Sequence, residues 1–142
     1  MDLQDLLIDN TASIESDTTK NTITIHAGDS SKRLSNIIKD FPDNCYVDKK
    51  ITGCGGTTLV LRNDVDYVVL VPYINLLLSK QADNLGIVDL VTKYGAGDDN
   101  EKISNYLADK TRPRKILCTF DSLRTLFDIP NFNPSEFKIL ID

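Results

Sequence analysis

The sequence predicts an α/β fold with a mainly parallel sheet and helices on both faces. Short apolar, β-branched segments alternate along the chain with segments in which apolar residues recur at helical spacing. One of them, residues 66–71, is a continuous apolar run of the kind found in strands that are covered on both sides. Such alternation favours parallel strands joined by helical crossovers. We expect a flexible N-terminal arm at 1–21 and one domain at 22–142.

Composition excludes several classes of protein. With 21 acidic and 16 basic residues, the chain carries a formal net charge of −5, which disfavours the broad basic face of sequence-independent DNA-binding proteins. Any nucleic-acid contact must therefore be local. No apolar run is long enough to cross a bilayer and no leader-like segment is present, so we expect no membrane partner and a cytoplasmic location. The three cysteines form no C-x-x-C pair, and His26 is the single histidine, so a zinc site is not expected.

The first half of the predicted domain begins with a half-buried strand at 22–27, where polar and apolar residues alternate. An amphipathic helix is expected next, ending before Pro42, because apolar residues recur at i, i+3, i+4 and i+7, namely Leu34, Ile37, Ile38 and Phe41. A short strand at 45–51 then leads into a glycine-rich loop. His26 lies on the polar side of its strand and is interpreted as an exposed residue without a chemical role.

In the second half of the predicted domain, strands and helices alternate more regularly. Apolar runs predict strands at 66–71, 87–92, 115–119 and 137–141. Amphipathic spacing predicts helices at 57–62, 72–80, 101–109 and 121–127. Pro72 is expected to start the second of these helices, and Pro113 separates the third helix from the strand at 115–119.

The glycine-rich loop I-T-G-C-G-G-T-T-L, residues 51–59, has the layout of a phosphate cradle. Glycines let the backbone turn tightly and bring its N–H groups close to an anion, and the helix that follows adds the partial positive charge of its N-terminus. The residues expected to bind a phosphate are Gly53, Cys54, Gly55, Gly56, Thr57 and Thr58. The alternative is a strand-to-helix turn that needs glycine for its geometry alone.

The loop departs from the Walker pattern G-x-x-x-x-G-K-[ST] in one important position. Aligned on the helicase form G-x-G-K-T, Gly56 stands where the lysine belongs, and Thr57 stands where a hydroxyl holds magnesium. Lys49 and Lys50 precede the loop and are candidate replacements for the lysine, although a pair of lysines at a strand end is more often solvated.

Residues 49–142 resemble the first RecA-like domain of superfamily 2, or DEAD-like, helicases, a P-loop fold of three layers. Four segments carry the resemblance in the order of the family's motif I, motif Ia, motif Ib and Walker B strand, namely I-T-G-C-G-G-T-T (51–58), V-L-V-P-Y-I-N-L-L (69–77), I-L-C-T-F-D-S-L (116–123) and F-K-I-L-I-D (137–142). In addition, Y-G-A-G at 94–97 is similar to the family's Y-G-G segment.

The resemblance implies a function and a set of site residues. It implies ATP and Mg²⁺ as cofactors, with Asp142 as a catalytic residue and Thr57 and Asp142 as metal ligands. In the family, motif Ia touches the nucleic-acid backbone, which points to Pro72 and Tyr73, and motif Ib adds Thr119. A glutamate is expected directly after the Walker B aspartate. In the family, a second RecA-like domain completes the hydrolysis site. The resemblance therefore implies such a domain beyond residue 142 and no ATP turnover by this chain alone.

Arg112, Arg114 and Lys115 form the densest basic patch of the sequence, next to the segment that resembles motif Ib. They are candidates for contacts with nucleic-acid phosphates, although such a cluster more often solvates a loop. The first functional hypothesis is therefore the nucleotide-binding domain of a helicase-like, nucleic-acid-dependent NTPase. The second is a non-catalytic binding or scaffolding module that keeps the fold. A third is another doubly wound domain that binds a different phosphate-bearing ligand at the carboxyl ends of its strands.

Overall fold

A computed structural model of the protein describes residues 3–9, 11–20, 22–27, 33–48, 55–94 and 100–142. The chain forms two compact units, residues 1–59 and 60–142, and each is described by itself. No helix in these described ranges is both long enough and apolar enough to span a bilayer.

The described strands and helices follow one another in the order β1 (Ser13–Asp17), β2 (Thr22–His26), α1 (Gly56–Arg62), β3 (Tyr67–Val71), α2 (Ile74–Asp83), β4 (Val91–Lys93), α3 (Asn100–Ala108), β5 (Lys115–Thr119), α4 (Leu123–Leu126) and β6 (Lys138–Ile141). Short 3₁₀ turns are formed by Leu3–Leu6, Leu34–Asn36, Phe120–Ser122 and Pro134–Glu136.

The second unit contains a parallel sheet. Within the residues that the structure describes, four strands pair side by side in the order β4, β5, β3, β6, and every pairing is parallel. The α/β class with a parallel sheet is therefore confirmed. β3 and β5 are buried at every residue, as expected for strands covered on both faces.

The helices of this unit lie on both faces of the sheet. The connection from β3 to β4 crosses the sheet in one direction, whereas the connections through α3 and α4 return in the other. Right-handed crossovers then place α2 on one face and α3 and α4 on the opposite face. The core on the α3 side is formed by Val68, Leu70, Val91, Ile103, Tyr106, Leu107, Ile116, Cys118, Leu126, Ile129 and Phe137.

The strand predicted at 137–141 forms as β6, and it is less buried than β3 and β5. Its residues alternate in burial, and the side chains of Ile139 and Ile141 are 50% and 70% exposed. β6 is the end strand of the sheet as described, and α3 and α4 do not extend over it. One face of β6 therefore remains uncovered by the described residues.

The first unit contains an antiparallel hairpin. β1 pairs with β2 from Ser13↔His26 to Asp17↔Thr22, which confirms the predicted strand at 22–27. The predicted flexible arm at 1–21 therefore includes a strand. The turn between the strands is held by the Asp17 carboxylate, which accepts hydrogen bonds from the backbone N–H and the hydroxyl of Thr19. His26 is exposed, and its Nε2 lies 3.0 Å from the Glu15 carboxylate.

The prediction of a helix that ends before Pro42 is wrong for residues 33–41, the part of it that the structure describes. In residues 33–41 only the 3₁₀ turn Leu34–Asn36 forms. The next backbone groups bond instead to the N-terminal segment: the Ile8 N–H donates to the Ile37 carbonyl at 2.7 Å, and the Lys39 N–H donates to the Leu6 carbonyl at 2.8 Å.

The strand predicted before the glycine-rich loop is not formed at 45–48. This stretch is irregular in the structure, and Tyr46 is fully exposed. The remainder of that predicted strand, including Lys49 and Lys50, lies outside the described residues. Downstream, the predicted helices at 57–62, 72–80 and 101–109 are confirmed as α1, α2 and α3, whereas the predicted strand at 87–92 is reduced to the three residues of β4.

Candidate functional site

The carboxyl ends of the parallel strands form one edge of the sheet. Their register places four positions in a row across this edge, in the order Tyr94, Thr119, Val71 and Asp142. The pairing of β6 with β3 continues to the last of these, because the Asp142 N–H donates to the Leu70 carbonyl at 2.9 Å. With neighbouring strands about 4.8 Å apart, the row is about 14 Å wide. We call this row, with the turns at 72–73 and 120–122, the carboxyl edge.

Three segments that were identified separately in the sequence meet at the carboxyl edge. Pro72 and Tyr73 directly follow β3, Thr119 ends β5, and Asp142 directly follows β6. These strands are neighbours in the sheet, with β3 in the middle. The predicted residues Arg112 and Arg114 precede β5 and lie at the opposite, amino end of the sheet. The five predicted nucleic-acid contacts therefore do not form one surface.

The connections that follow β3 and β5 diverge, and we call the place where they diverge the crevice. The chain leaves β3 towards α2 on one face and leaves β5 towards α4 on the other, and ligands of open α/β sheets bind where the connections diverge in this way. Tyr73, the residue before α2, has extended backbone angles and is 71% exposed. Phe120, which follows β5, is 44% exposed. Two exposed aromatic residues therefore follow the ends of these neighbouring strands.

The Thr119 side chain is part of the turn that follows β5. Thr119 is buried, and its hydroxyl donates to the Ser122 hydroxyl at 3.0 Å. The Ser122 carbonyl in turn accepts a bond of 2.7 Å from the Thr125 hydroxyl. In this conformation the Thr119 hydroxyl holds the turn, so a ligand at the crevice would contact the backbone or the neighbouring Phe120.

Asp142 forms an ion pair that the sequence did not predict. Its Oδ2 lies 2.8 Å from the Nζ atom of Lys80 in α2, and the two side chains are 26% and 19% exposed. The register places the Asp142 side chain on the same face as those of Leu140 and Val69, because side chains alternate along a strand. That face is the one on which α2 packs. The available signal in the sequence was the position of Lys80, three residues after Leu77, on the inner side of the predicted helix.

Of the two predicted magnesium ligands, Asp142 is engaged in an ion pair in this structure. Mg²⁺ is bound by carboxylates, substrate phosphates and water in nearly octahedral geometry. In the described ranges no group of three or more His, Cys, Asp or Glu side chains is close enough to hold a metal ion. The Asp142 carboxylate already has the Lys80 ammonium beside it. Thr57, the other predicted ligand, belongs to the first compact unit.

The described part of the glycine-rich loop turns into a helix at the predicted place. Gly53 and Cys54 lie outside the described residues. Gly55 has a φ of +87°, in the region that favours glycine, and its carbonyl accepts the first helical bond, from the Leu59 N–H at 2.9 Å. α1 begins at Gly56, so this position has helical backbone angles and would tolerate a lysine without a φ penalty. Thr57 and Thr58 occupy the first turn and are half-buried.

Arg114 is held inside the amino end of the sheet. Its guanidinium donates to the Asp66 carboxylate at 2.7 Å, to the Glu136 carboxylate at 2.9 Å and to the Leu107 carbonyl at 3.2 Å, and it stacks 4.7 Å from the centre of the Phe137 ring. Only 3% of its side chain is exposed. Burial by itself lowers the Arg114 pKa, but the bonds to the two carboxylates raise it overall. These contacts hold the fold and leave no surface for a phosphate.

Arg112 is engaged in the same region. It forms an ion pair with Asp89, lies 3.5 Å from a carboxylate oxygen of Asp109 and stacks 4.7 Å from the centre of the Tyr106 ring. About a third of its side chain is exposed. The basic patch predicted near β5 therefore consists of residues that each have acceptors within the second unit.

The buried cysteine of β5 is unsuited to nucleophilic chemistry. Burial raises the pKa of the Cys118 thiol to about 12, an effect that the nearby Lys93 ammonium only partly offsets. The thiol therefore stays protonated at neutral pH.

Comparison with known proteins gives no match. No protein-family model matches the sequence, and neither a curated protein nor a solved structure matches it significantly. The resemblance to helicases therefore depends on the residues quoted above.

Proposed function

We propose that this chain is the first RecA-like domain of a helicase-like, nucleic-acid-dependent NTPase, and that nucleic acid binds at the carboxyl edge. One observation carries the proposal. The segments that resemble motif Ia, motif Ib and the Walker B strand, which lie far apart in the sequence, form three adjacent parallel strands whose motif residues meet at one edge. Open α/β sheets bind their ligands at that edge.

The side chains at the crevice favour single-stranded nucleic acid. Tyr73 and Phe120 are exposed aromatic residues at the ends of neighbouring strands, and bases stack on such rings with little dependence on sequence. The net charge of −5 argues against binding driven mainly by phosphate neutralisation over a broad surface. Stacking at the crevice is a local contact, as this charge requires.

ATP is the proposed nucleotide, and the first turn of α1 is its proposed contact. Gly56, Thr57 and Thr58 present backbone N–H groups there, directly after the left-handed Gly55, in the order that the resemblance to motif I implies. Hydrolysis belongs to the parent protein in this proposal, because the second domain and the glutamate after Asp142 would complete the reaction. The present chain binds and orients its ligands and is expected not to turn over ATP by itself.

A non-catalytic binding module is the second candidate, and the Lys80–Asp142 ion pair favours it. An ammonium stands at the carboxylate that would serve the metal, and Gly56 stands at the position of the Walker lysine. Such a module would bind nucleic acid without using nucleotide. The two candidates differ in one measurable respect, because ATP should change the affinity for nucleic acid in the helicase-like domain and leave it unchanged in the module.

Titration of fluorescent single-stranded oligonucleotides of about 12 residues tests the proposed interface. Fluorescence anisotropy should be measured at low salt for the wild type, Tyr73→Ala and Tyr46→Ala, with and without ATP. Tyr46 is a suitable control because it is also an exposed tyrosine and lies in the other compact unit. We expect Tyr73→Ala to weaken binding roughly fivefold to a hundredfold, since stacking contributes about 1–3 kcal/mol per base, and Tyr46→Ala to have no effect. Equal affinity of all three proteins would refute the interface.

A further inference from the structure

We propose that the Lys80 ammonium is the counter-ion of the Asp142 carboxylate. The carboxyl edge then binds phosphate groups through this ammonium and without a divalent metal ion. The assignment of Lys80 to Asp142 depends on geometry alone. Its consequence for phosphate rests on the proposed function of the preceding section.

Lys80 lies on the inner face of α2. Leu77 and Asn84, three positions before and four positions after it, are both buried, and the Lys80 side chain is 19% exposed. A lysine in such a position costs free energy unless its charge is paired. Asp142 supplies the opposite charge at 2.8 Å, with a side chain that is itself 26% exposed. The pair is therefore more shielded from water than the ordinary surface ion pairs that contribute little.

The backbone that carries Lys80 is fixed by a second set of contacts. The Asn84 side-chain amide donates to the Lys80 carbonyl at 2.7 Å, and its oxygen accepts from Nε of Arg62 at 3.0 Å. Arg62 ends α1, so these bonds tie the last turn of α2 to the end of another helix. The Lys80 side chain consequently starts from a defined position and reaches Asp142 without local rearrangement.

A divalent ion would have to compete with this arrangement. Mg²⁺ gives up its water reluctantly and requires nearly octahedral geometry. Binding at Asp142 would place the ion within a few ångströms of the Lys80 ammonium, which repels it, or would break the ion pair between that ammonium and the carboxylate. Both outcomes cost free energy.

The same pair makes the edge compatible with phosphate. An isolated Asp142 carboxylate would repel phosphate oxygens, whereas the Lys80 ammonium neutralises it. Lysine is also a phosphate-binding residue in its own right, because its compact charge carries three donors that serve several acceptors. Lys80 thus supplies at the end of β6 the kind of positive group that position 56 of the glycine-rich loop lacks.

Paramagnetic broadening by Mn²⁺ tests the cation assignment directly. ¹⁵N-labelled wild type, Asp142→Asn, Lys80→Met and the double variant Lys80→Met/Asp142→Asn should be titrated with Mn²⁺ alone, with the amides of Leu70 and Ile141 as reporters. We expect no saturable broadening in the wild type at millimolar Mn²⁺, binding at least tenfold tighter in Lys80→Met, and loss of that binding in the double variant. Saturable broadening in the wild type that Asp142→Asn removes would overturn the assignment, even if Lys80→Met failed to fold.

Oligonucleotide binding tests the consequence for phosphate. Affinity should be measured in EDTA and in MgCl₂ at equal ionic strength for the wild type, Lys80→Met and the control Lys102→Met, an exposed lysine of α3. We expect the wild-type affinity to agree within twofold in the two buffers, a loss of at least tenfold for Lys80→Met, and no change for Lys102→Met. Binding that requires Mg²⁺ would overturn the inference. Absence of binding in both buffers would instead refute the proposed function, and the Mn²⁺ titration would still decide the role of Lys80.

Discussion

The two ends of the parallel sheet differ in how far their polar and aromatic side chains are exposed to solvent. At the amino end, Arg114 is 3% exposed and its guanidinium bonds to Asp66 and Glu136. At the carboxyl edge, Tyr73 is 71% exposed and Phe120 is 44% exposed. The same strands therefore end in a closed ion-pair network on one side and in an open crevice on the other. The comparison suggests that the amino end maintains the fold, which leaves the carboxyl edge available for ligands.

Lys115 is a second basic residue at the amino end that is buried and has hydrogen-bond acceptors. This residue begins β5 and is 1% exposed, yet its ammonium has acceptors in the Val60 carbonyl, the Asn63 side chain and the Val65 carbonyl. It thereby satisfies backbone groups at the end of α1 and in the loop that follows. Of the basic residues at 112–115, Arg114 and Lys115 are thus buried with acceptors inside the second unit, and only Arg112 is partly exposed.

The largest expected effect tests whether the amino end holds the fold. Arg114→Met should lower the free energy of unfolding by about 3 kcal/mol, because it removes the cation that pairs with the partly buried Asp66 carboxylate and one of the two that pair with Glu136. Chemical denaturation of the second unit in the intact chain measures the loss. Arg124→Met is the matched control, since Arg124 is an exposed arginine of α4 and its loss should cost less than about 0.5 kcal/mol. Similar small losses for both variants would contradict a structural role for the network.

A smaller effect should appear in the pH dependence of stability. Hydrogen bonds from Lys110, which has the larger effect, and from Arg114 hold the pKa of Glu136 below its ordinary value of 4.5. A carboxylate with a depressed folded-state pKa stabilises the protein above its unfolded-state pKa, and that contribution is lost as the pH falls through the folded-state value. Melting temperatures should therefore fall more steeply below about pH 4.5 in the wild type than in Glu136→Gln. Glu101→Gln, at the exposed start of α3, should retain the wild-type profile.

The smallest expected effect on stability concerns the carboxyl edge. Tyr73→Ala should change the free energy of unfolding by less than about 0.5 kcal/mol, because the ring is mostly in water and makes no side-chain cap for α2. A thermal melt alongside the binding experiment checks this expectation. A loss comparable to that of Arg114→Met would mean that the carboxyl edge is also structural, and the distinction between the two ends would be lost.

Sequence pattern predicted β3 and β5 almost to the residue because both strands are buried on both faces. A strand that is apolar at every position needs no knowledge of its neighbours to be recognised. β6 shows the limit of the same rule. Ile139 and Ile141 resemble core residues in sequence, but β6 lies at the end of the described sheet and one of its faces is exposed. Apolar character identifies a strand without stating its place in the sheet.

The helix predicted up to residue 41 failed for a different reason. Its apolar spacing was correct, and Ile37, Ile38 and Phe41 are indeed buried. The N–H groups of Ile37 and Ile38 still donate to the Leu34 carbonyl, but the Ile37 carbonyl and the Lys39 N–H bond to residues near the N-terminus, and the helix does not continue. Periodicity records which side chains are buried, whereas the partner of each N–H and carbonyl depends on a segment about thirty residues away.

By itself, the sequence determined the strand and helix order from 57 onwards, the parallel class of the sheet and the three segments whose ends meet at the carboxyl edge. These follow from local hydrophobic pattern and from the chirality of crossovers. Tertiary structure alone decided the partners of the charged residues. Lys80 and Asp142 are far apart in sequence, and they meet because α2 packs on the face to which the register of β6 directs Asp142. Charge pairing depends on register and on helix placement together, and neither is encoded in the residues around a single charge.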